Sequence, residues 1–272
     1  MYRCHRHFRR VLHLNLSLVL TVQTGTSSTL IELIDAGILS AKSGADVIDG
    51  VNWQLRTGDR WVIVGSYGAG KSDLLATAAG LQKPVHGVVQ AFGRNIATLK
   101  DSELQALRMR IGIVFKNGGR IFSQMTVAEN IALPIRYQFN WSFSQAEKSV
   151  ETLLKLTGLE AHANSTANML GASWLQRVGL ARALSLKPEM LFFDEPLNGL
   201  DSRHRHWWLE FLEQLSAGLE WNDKRPTTIA VTTNDPDFWN GWGHQFAHIE
   251  NKHWFDDSIK PSGKTFTTPQ KT

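Results

Sequence analysis

Between Gly65 and Ser72 the chain reads Gly-Ser-Tyr-Gly-Ala-Gly-Lys-Ser, a spacing suited to holding phosphate. Gly65, Ser66, Tyr67, Gly68, Ala69 and Gly70 can turn successive backbone N–H groups onto a triphosphate. Lys71 can reach its terminal phosphates, and the Ser72 hydroxyl can ligate magnesium. A plain glycine-rich turn could match so short a pattern, so its setting decides. The apolar run Trp61-Val-Ile-Val64 leads in, and the helix-favouring Ser72-Asp-Leu-Leu-Ala-Thr-Ala-Ala79 follows and stops at Gly80. Strand, loop and helix in that order put an anion at a helix N-terminus, where free N–H groups and the helix dipole both favour it. A second stretch supplies acids: Met190-Leu-Phe-Phe runs straight into Asp194-Glu195-Pro196. A buried strand ending in two carboxylates could hold magnesium through Asp194 and use Glu195 to orient and deprotonate an attacking water.

The elements that must position these groups alternate. Thr29–Ile34, Asp46–Leu55, Trp61–Val64 and His86–Gly93 read as strands, with turns at Gly50 and Thr57-Gly-Asp59. Later, Met190–Phe193 and Thr228–Val231 are apolar runs separated by the helical pattern Arg203–Gly218. This order implies an α/β fold around a mostly parallel sheet. Residues 97–185 read as mainly helical, with a capping box expected at Ser144-Gln-Ala-Glu147. Ala146, Val150, Leu153 and Leu154 recur on one face before Gly158. The ten tryptophans show no spacing of a cofactor box and are expected to pack the core and partner surfaces.

The net charge of +4 suggests nucleic acid until it is located. Residues 1–31 hold Arg3, Arg6, Arg9 and Arg10 and no acid, leaving 25 basic and 25 acidic side chains elsewhere. A neutral body lacks the basic stripe of a nucleic-acid binder. One cysteine, Cys4, excludes an internal disulfide and fits a reducing compartment. No apolar run approaches the roughly 18 residues of a membrane span, so any membrane role is expected through partners. The basic opening followed by Val11–Leu20 resembles a short export signal, although His13, Asn15 and Ser17 interrupt it. Residues 1–28 are therefore expected to be a non-folding extension, a membrane-surface arm or the product of a start assigned too early.

Further motifs reveal a resemblance. Gln176-Arg-Val-Gly-Leu-Ala-Arg-Ala-Leu184, Lys187-Pro188, Asp194-Glu-Pro196 and Gly199-Leu-Asp201 look like the core of an ABC transporter ATPase, over residues 29–255. The resemblance implies a P-loop NTPase of the ABC ATPase type, with an antiparallel β subdomain, an inserted helical subdomain at about 97–185 and a tail at 256–272. Ile111–Phe115, Asn117–Phe122 and Met125–Ile135 resemble more narrowly the ATPases of the mammalian-cell-entry, lipid-asymmetry importers. By resemblance, ATP and Mg2+ are the cofactors, and a second ATPase subunit closes head to tail on this one. Transmembrane permease subunits would dock near the segment after Phe115, placing the chain in the cytoplasm on the inner face of the plasma membrane.

Several positions depart from that family's pattern. The signature Leu-Ser-Gly-Gly-Gln, which acts in trans, is here Leu170-Gly171-Ala172-Ser173-Trp174. It lacks the hydroxyl at Gly171, and Ala172 and Ser173 add side chains where backbone must approach phosphate. Lys116 replaces a glutamine that helps hold magnesium; an ammonium has three donors and no acceptor, so Lys116 cannot be a metal ligand but could touch phosphate. Asn234 stands where a histidine binds the γ-phosphate and can still donate one neutral hydrogen bond. Asp73 stands where a threonine meets the α-phosphate, and is expected to turn away or to meet a cation, with Lys116 a candidate. Residues 41–47 lack the aromatic that stacks on adenine. The cis groups Lys71, Ser72, Asp194 and Glu195 are intact. The expected function is thus a lipid-transport ATPase subunit; the alternative is a degenerate nucleotide-binding structural or regulatory subunit.

Overall fold

The computed structural model describes residues 28–259. The expected N-terminal extension, apart from Ser28, and residues 260–272 of the expected tail lie outside the described residues. Strands β1 (Thr29–Leu39) and β2 (Asp46–Arg56) form an antiparallel hairpin, with Thr29 opposite Arg56 and Leu39 opposite Asp46. The short β4 (Val88–Ala91) and β5 (Arg94–Asn95) extend it antiparallel beyond β1. Strands β3 (Arg60–Gly65), β6 (Ile111–Val114), β7 (Met190–Asp194), β8 (Thr228–Thr233) and β9 (Gln245–Glu250) run parallel in the order β9-β3-β8-β7-β6. The last strand, β10 (His253–Asp256), is antiparallel to β9 and meets β2 at His253 and Asp49, so one mixed ten-stranded sheet results.

Within the parallel strands the runs Trp61–Val64, Met190–Phe193 and Ile229–Val231 are apolar without interruption because both faces of the sheet are covered there. Val62, Leu191, Phe193, Ile229 and Val231 point into one core, shared with helices α3 (Val127–Phe139), α4 (Phe143–Thr157), α5 (Ala172–Leu184) and α6 (Ser202–Ala217). Their neighbours Trp61, Ile63, Met190, Phe192 and Ala230 enter a second core with β1, β2 and α1 (Lys71–Ala78). The period of two thus sends adjacent residues to opposite sides. The Phe193 and Trp208 rings meet edge to face at 5.8 Å, and each such side chain contributes about 1.5–3 kcal/mol by burial. Trp53, Trp208 and Trp239 are fully buried, as expected of core tryptophans.

The helical span has two differences from its sequence pattern. After α2 (Asp101–Arg108) it contains β6, a four-residue apolar run too short for a helix and long enough to pair along β7. The capping box of α4 is built by Ser142 and Gln145 rather than Ser144 and Glu147. Both pairs fit the spacing, but the earlier start places Phe143 inside the helix, packed on the core. The face Ala146, Val150, Leu153 and Leu154 is buried, and Gly158 ends the helix at φ 67°.

Candidate functional site

Parallel strands deliver their C-terminal ends to one edge of the sheet, where open α/β sheets place ligands. The loops after β3, β6, β7 and β8 therefore converge, bringing together Gly65–Ser72, Lys116, Asp194-Glu195 and Asn234. Gly65 closes β3, Ser66 and Tyr67 are exposed, and the Ala69 N–H bonds the Ser66 carbonyl at 3.2 Å to close the turn. Gly68 and Gly70 complete the turn, and Gly70 caps α1 at φ 90°. A side chain there would meet Val47 Cγ2 at 2.8 Å, so backbone alone fits. Lys71, the first residue of α1, is buried and folds back to donate to the Gly65 carbonyl at 2.7 Å and the Ser66 carbonyl at 3.0 Å.

The two motifs meet through side chains distant in sequence. Ser72 Oγ donates to Asp194 Oδ2 at 2.7 Å, while Thr232 Oγ1 donates to Asp194 Oδ1 at 2.8 Å. Thr232 also accepts from the Glu195 N–H at 3.1 Å, fixing a residue whose φ of 49° is unusual for a side-chain-bearing amino acid. Glu195 is 6% exposed, and both its oxygens are engaged. Lys71 Nζ lies 3.2 Å from Oε1; Lys116 Nζ at 2.6 Å and Asn198 Nδ2 at 2.8 Å donate to Oε2. Burial pushes the Glu195 carboxyl up, but the Lys116 hydrogen bond and the Lys71 charge outweigh it and leave it below the usual glutamate value. Asn198 and Thr232 were not singled out in the sequence. The run Pro196-Leu-Asn198-Gly199 and the threonines ending β8 were the only signals available.

The donors fit magnesium and a phosphate chain. Ser72 Oγ and Asp194 Oδ2 are an oxygen pair for a hard cation that takes few protein ligands and completes its shell with water and substrate phosphate. Among the described residues no cluster of three or more His, Cys, Asp or Glu could hold a metal unaided. Asp73 turns away: its Oδ1 accepts from the Ala41 N–H at 3.0 Å. Lys116 is not its partner, because the nearer and more deeply buried Glu195 claims that ammonium. Asn234 is exposed and lines a cavity of about 300 Å³ with Glu195, Asn198 and Asp235.

The remaining expected residues sit apart. Gly171 is the N-cap of α5, and Gly171, Ala172 and partly Ser173 face outward with no side-chain cap. Trp174 turns inward instead, 4.6 Å from the His162 ring and 4.9 Å from the Arg177 guanidinium, which stacks at 3.6 Å on Trp207. Burial pushes Arg177 down to about 10, with the charge of Arg203 adding to it.

The ABC transporter family profile matches residues 48–198, from β2 through both nucleotide motifs. The chain belongs to the ABC transporter family. Relatives of this cassette include the methionine import ATP-binding protein MetN 3 of Shouchella clausii, 34% identical over 77% of the chain and 59% of the relative. Another is the methionine import ATP-binding protein MetN of Brucella abortus, 33% identical over 90% of the chain and 63% of the relative. The chain thus spans about half to three-fifths of such relatives' length. The ATP-binding cassette MJ0796, solved as a dimer in a post-hydrolysis state bound to ADP and Pi, superposes with a TM-score of 0.72. It is 26% identical, over 82% of this chain and 96% of that one.

The fold is that of the ABC ATPase cassette, as the motifs implied. The expected kinship with lipid importers finds no support in these relatives, which are named for methionine import. Its motif runs explain why. Val127, Ala128, Ile131, Ala132 and Ile135 are all buried in the core, so their pattern reports packing and not cargo.

Proposed function

We propose that the chain is the ATP-binding subunit of a membrane transporter and hydrolyses ATP to drive it. The observation that carries this reading is the meeting of the phosphate loop with the acidic pair: Ser72 on Asp194 at 2.7 Å and Lys71 beside Glu195 at 3.2 Å. Backbone N–H groups from Gly65 to Gly70, with Lys71, bind the triphosphate. Ser72 and Asp194 would hold magnesium, which when bound neutralises charge on the phosphate oxygens. Glu195 takes a proton from water as its oxygen bonds the terminal phosphorus and the bond to the β-phosphate oxygen breaks, giving ADP and phosphate.

A second copy or a paralogue supplies Gly171, Ala172 and Ser173 across the nucleotide, from the outward N-terminus of α5. Permease subunits provide the membrane contact, since no described helix is long and apolar enough to cross a bilayer. The site therefore works on the cytoplasmic face, where ATP is available. The cassette holds nucleotide and not cargo, so substrate identity rests on the relatives, and methionine is the solute to test first.

Purified full-length chain with Mg-ATP is expected to release phosphate. Glu195→Gln should abolish release while retaining binding, and Lys71→Ala should abolish both; hydrolysis unchanged by Glu195→Gln would refute the assignment. The enclosure of both Glu195 oxygens favours a second reading, a subunit that binds nucleotide for a more active partner. Turnover by the isolated chain, lost in Lys71→Ala, would remove that reading.

A further inference from the structure

The two lysines at Glu195 differ in freedom. Lys71 is 3% exposed and held by two carbonyls as well as by the carboxylate. The Lys116 side chain is 34% exposed, and its ammonium has one hydrogen-bond partner, Glu195, with the Tyr67 ring 5.2 Å away. Its backbone is not free. The turn Lys116–Gly118 follows β6 directly and is pressed on α5, where a Cβ on Gly118 would lie 2.3 Å from the Leu175 carbonyl oxygen. The packing of Gly118 restrains the turn, and the partly exposed Lys116 side chain on its four-carbon stem is the part with room to swing.

The consequence for Glu195 follows from counting acceptors. A carboxylate offers about four lone-pair sites, and three donors already occupy this buried one. In that state Oε2 is filled by Lys116 and Asn198, one site remains on Oε1 beside Lys71, and two ammonium groups draw charge from the carboxylate, so Glu195 is a poorer acceptor for a proton from water. Asp194, Glu195, Lys71 and Lys116 form a charge-neutral set without any ligand. A terminal phosphate adds negative charge within reach of the same ammonium groups, and Lys116 is the one free to answer it. A glutamine amide there would carry no charge and would bind the carboxylate weakly.

We propose that Lys116 is a positioning residue that locks Glu195 in the empty cassette and is released by a terminal phosphate, so that the base is freed only when a triphosphate is bound. This inference rests on the nucleotide-site reading above. It predicts that binding a triphosphate, unlike binding a diphosphate, must exchange the Lys116–Glu195 pair for a Lys116–phosphate pair.

The test is a double-mutant cycle on full-length protein. Calorimetric titration with Mg-ADP and with a magnesium-bound non-hydrolysable ATP analogue is carried out on wild type, Lys116→Gln, Glu195→Gln and the double variant, with thermal melts confirming folding. Lys116→Gln should weaken the analogue at least tenfold and leave ADP within threefold, whereas Lys116→Arg, which keeps the charge, should restore most of the loss. Glu195→Gln should tighten the analogue several-fold in the wild-type background and not in Lys116→Gln. Equal effects on both nucleotides, or a Glu195→Gln gain that survives without Lys116, overturns the lock alone. Failure of wild type to bind either nucleotide overturns the nucleotide-site reading itself and the lock with it.

Discussion

Asp73 gives the sharpest quantitative test of the nucleotide site. A carboxylate facing the α-phosphate at ~4 Å with an effective dielectric of ~20 would be repelled by about 4 kcal/mol, roughly a thousandfold in affinity. Held on the Ala41 N–H instead, the charge acts across more distance and more water. At about 8 Å and a dielectric of about 40–80 the same law gives about 0.5–1 kcal/mol, or two- to fivefold. Asp73→Asn, which keeps an oxygen for Ala41 and removes the charge, should therefore tighten Mg-ATP by two- to fivefold in calorimetry. A gain of a hundredfold or more would mean that the side chain meets phosphate, refuting the turned-away geometry. Stability should move the other way. Asp73 is the third helical residue of α1, where a negative charge gains about 0.3–1 kcal/mol from the helix dipole. Asp73→Ala also loses the hydrogen bond, for a total of about 1–2 kcal/mol. That corresponds to a drop of roughly 2–8 °C in melting temperature.

Gly118→Ala should cost about 2 kcal/mol or more, read as a lowered denaturant midpoint, because the residue sits at φ 82° and its new Cβ would strike the Leu175 carbonyl. Glu129 is held below its ordinary value by the backbone N–H and hydroxyl of Thr126. A depressed carboxyl contributes stability above the unfolded value near 4.3 and loses it as pH falls through the folded one, so the deficit of Glu129→Gln in thermal melts should shrink from pH 7 to pH 3. Arg177→Lys should lower stability by about 1–2 kcal/mol, since a compact ammonium cannot stack between Trp174 and Trp207; a neutral result would show that charge alone matters there.

The legible parts of this protein were those with a local physical signature. Continuous apolar runs marked Trp61–Val64, Met190–Phe193 and Thr228–Val231 because strands covered on both faces have no polar side to interrupt them. Each run then ended in residues of the candidate site. The capping box of α4 was misplaced by two residues because Ser142 and Ser144 satisfy the same spacing, and only packing of Phe143 distinguishes them. Thr232 and Asn198 were invisible because a threonine in a strand and an asparagine in a turn carry no motif. Thr232 meets Asp194 only because β7 and β8 lie together, and Asn198 meets Glu195 only through the fold of the turn after β7. The lipid expectation failed for a related reason, since core positions of α3 were read as marks of cargo.

The Lys116 replacement also bears on how the empty cassette stands alone. With a neutral side chain there, Asp194 and Glu195 would face Lys71 alone, leaving a net negative charge buried at 4% and 6% exposure. Burying an unmatched carboxylate costs several kcal/mol, so such a site needs a further cation to become neutral. Lys116 supplies the missing charge from within. A charge-assisted bond to a buried carboxylate contributes about 1.5–3 kcal/mol, reduced here to about 1–2 because the ammonium is one-third exposed and screened. Lys116→Gln should consequently lower the melting temperature of the nucleotide-free protein by roughly 2–8 °C and leave the stabilisation given by saturating Mg-ADP little changed. An unchanged melt would show that Lys71 and Asn198 satisfy Glu195 unaided.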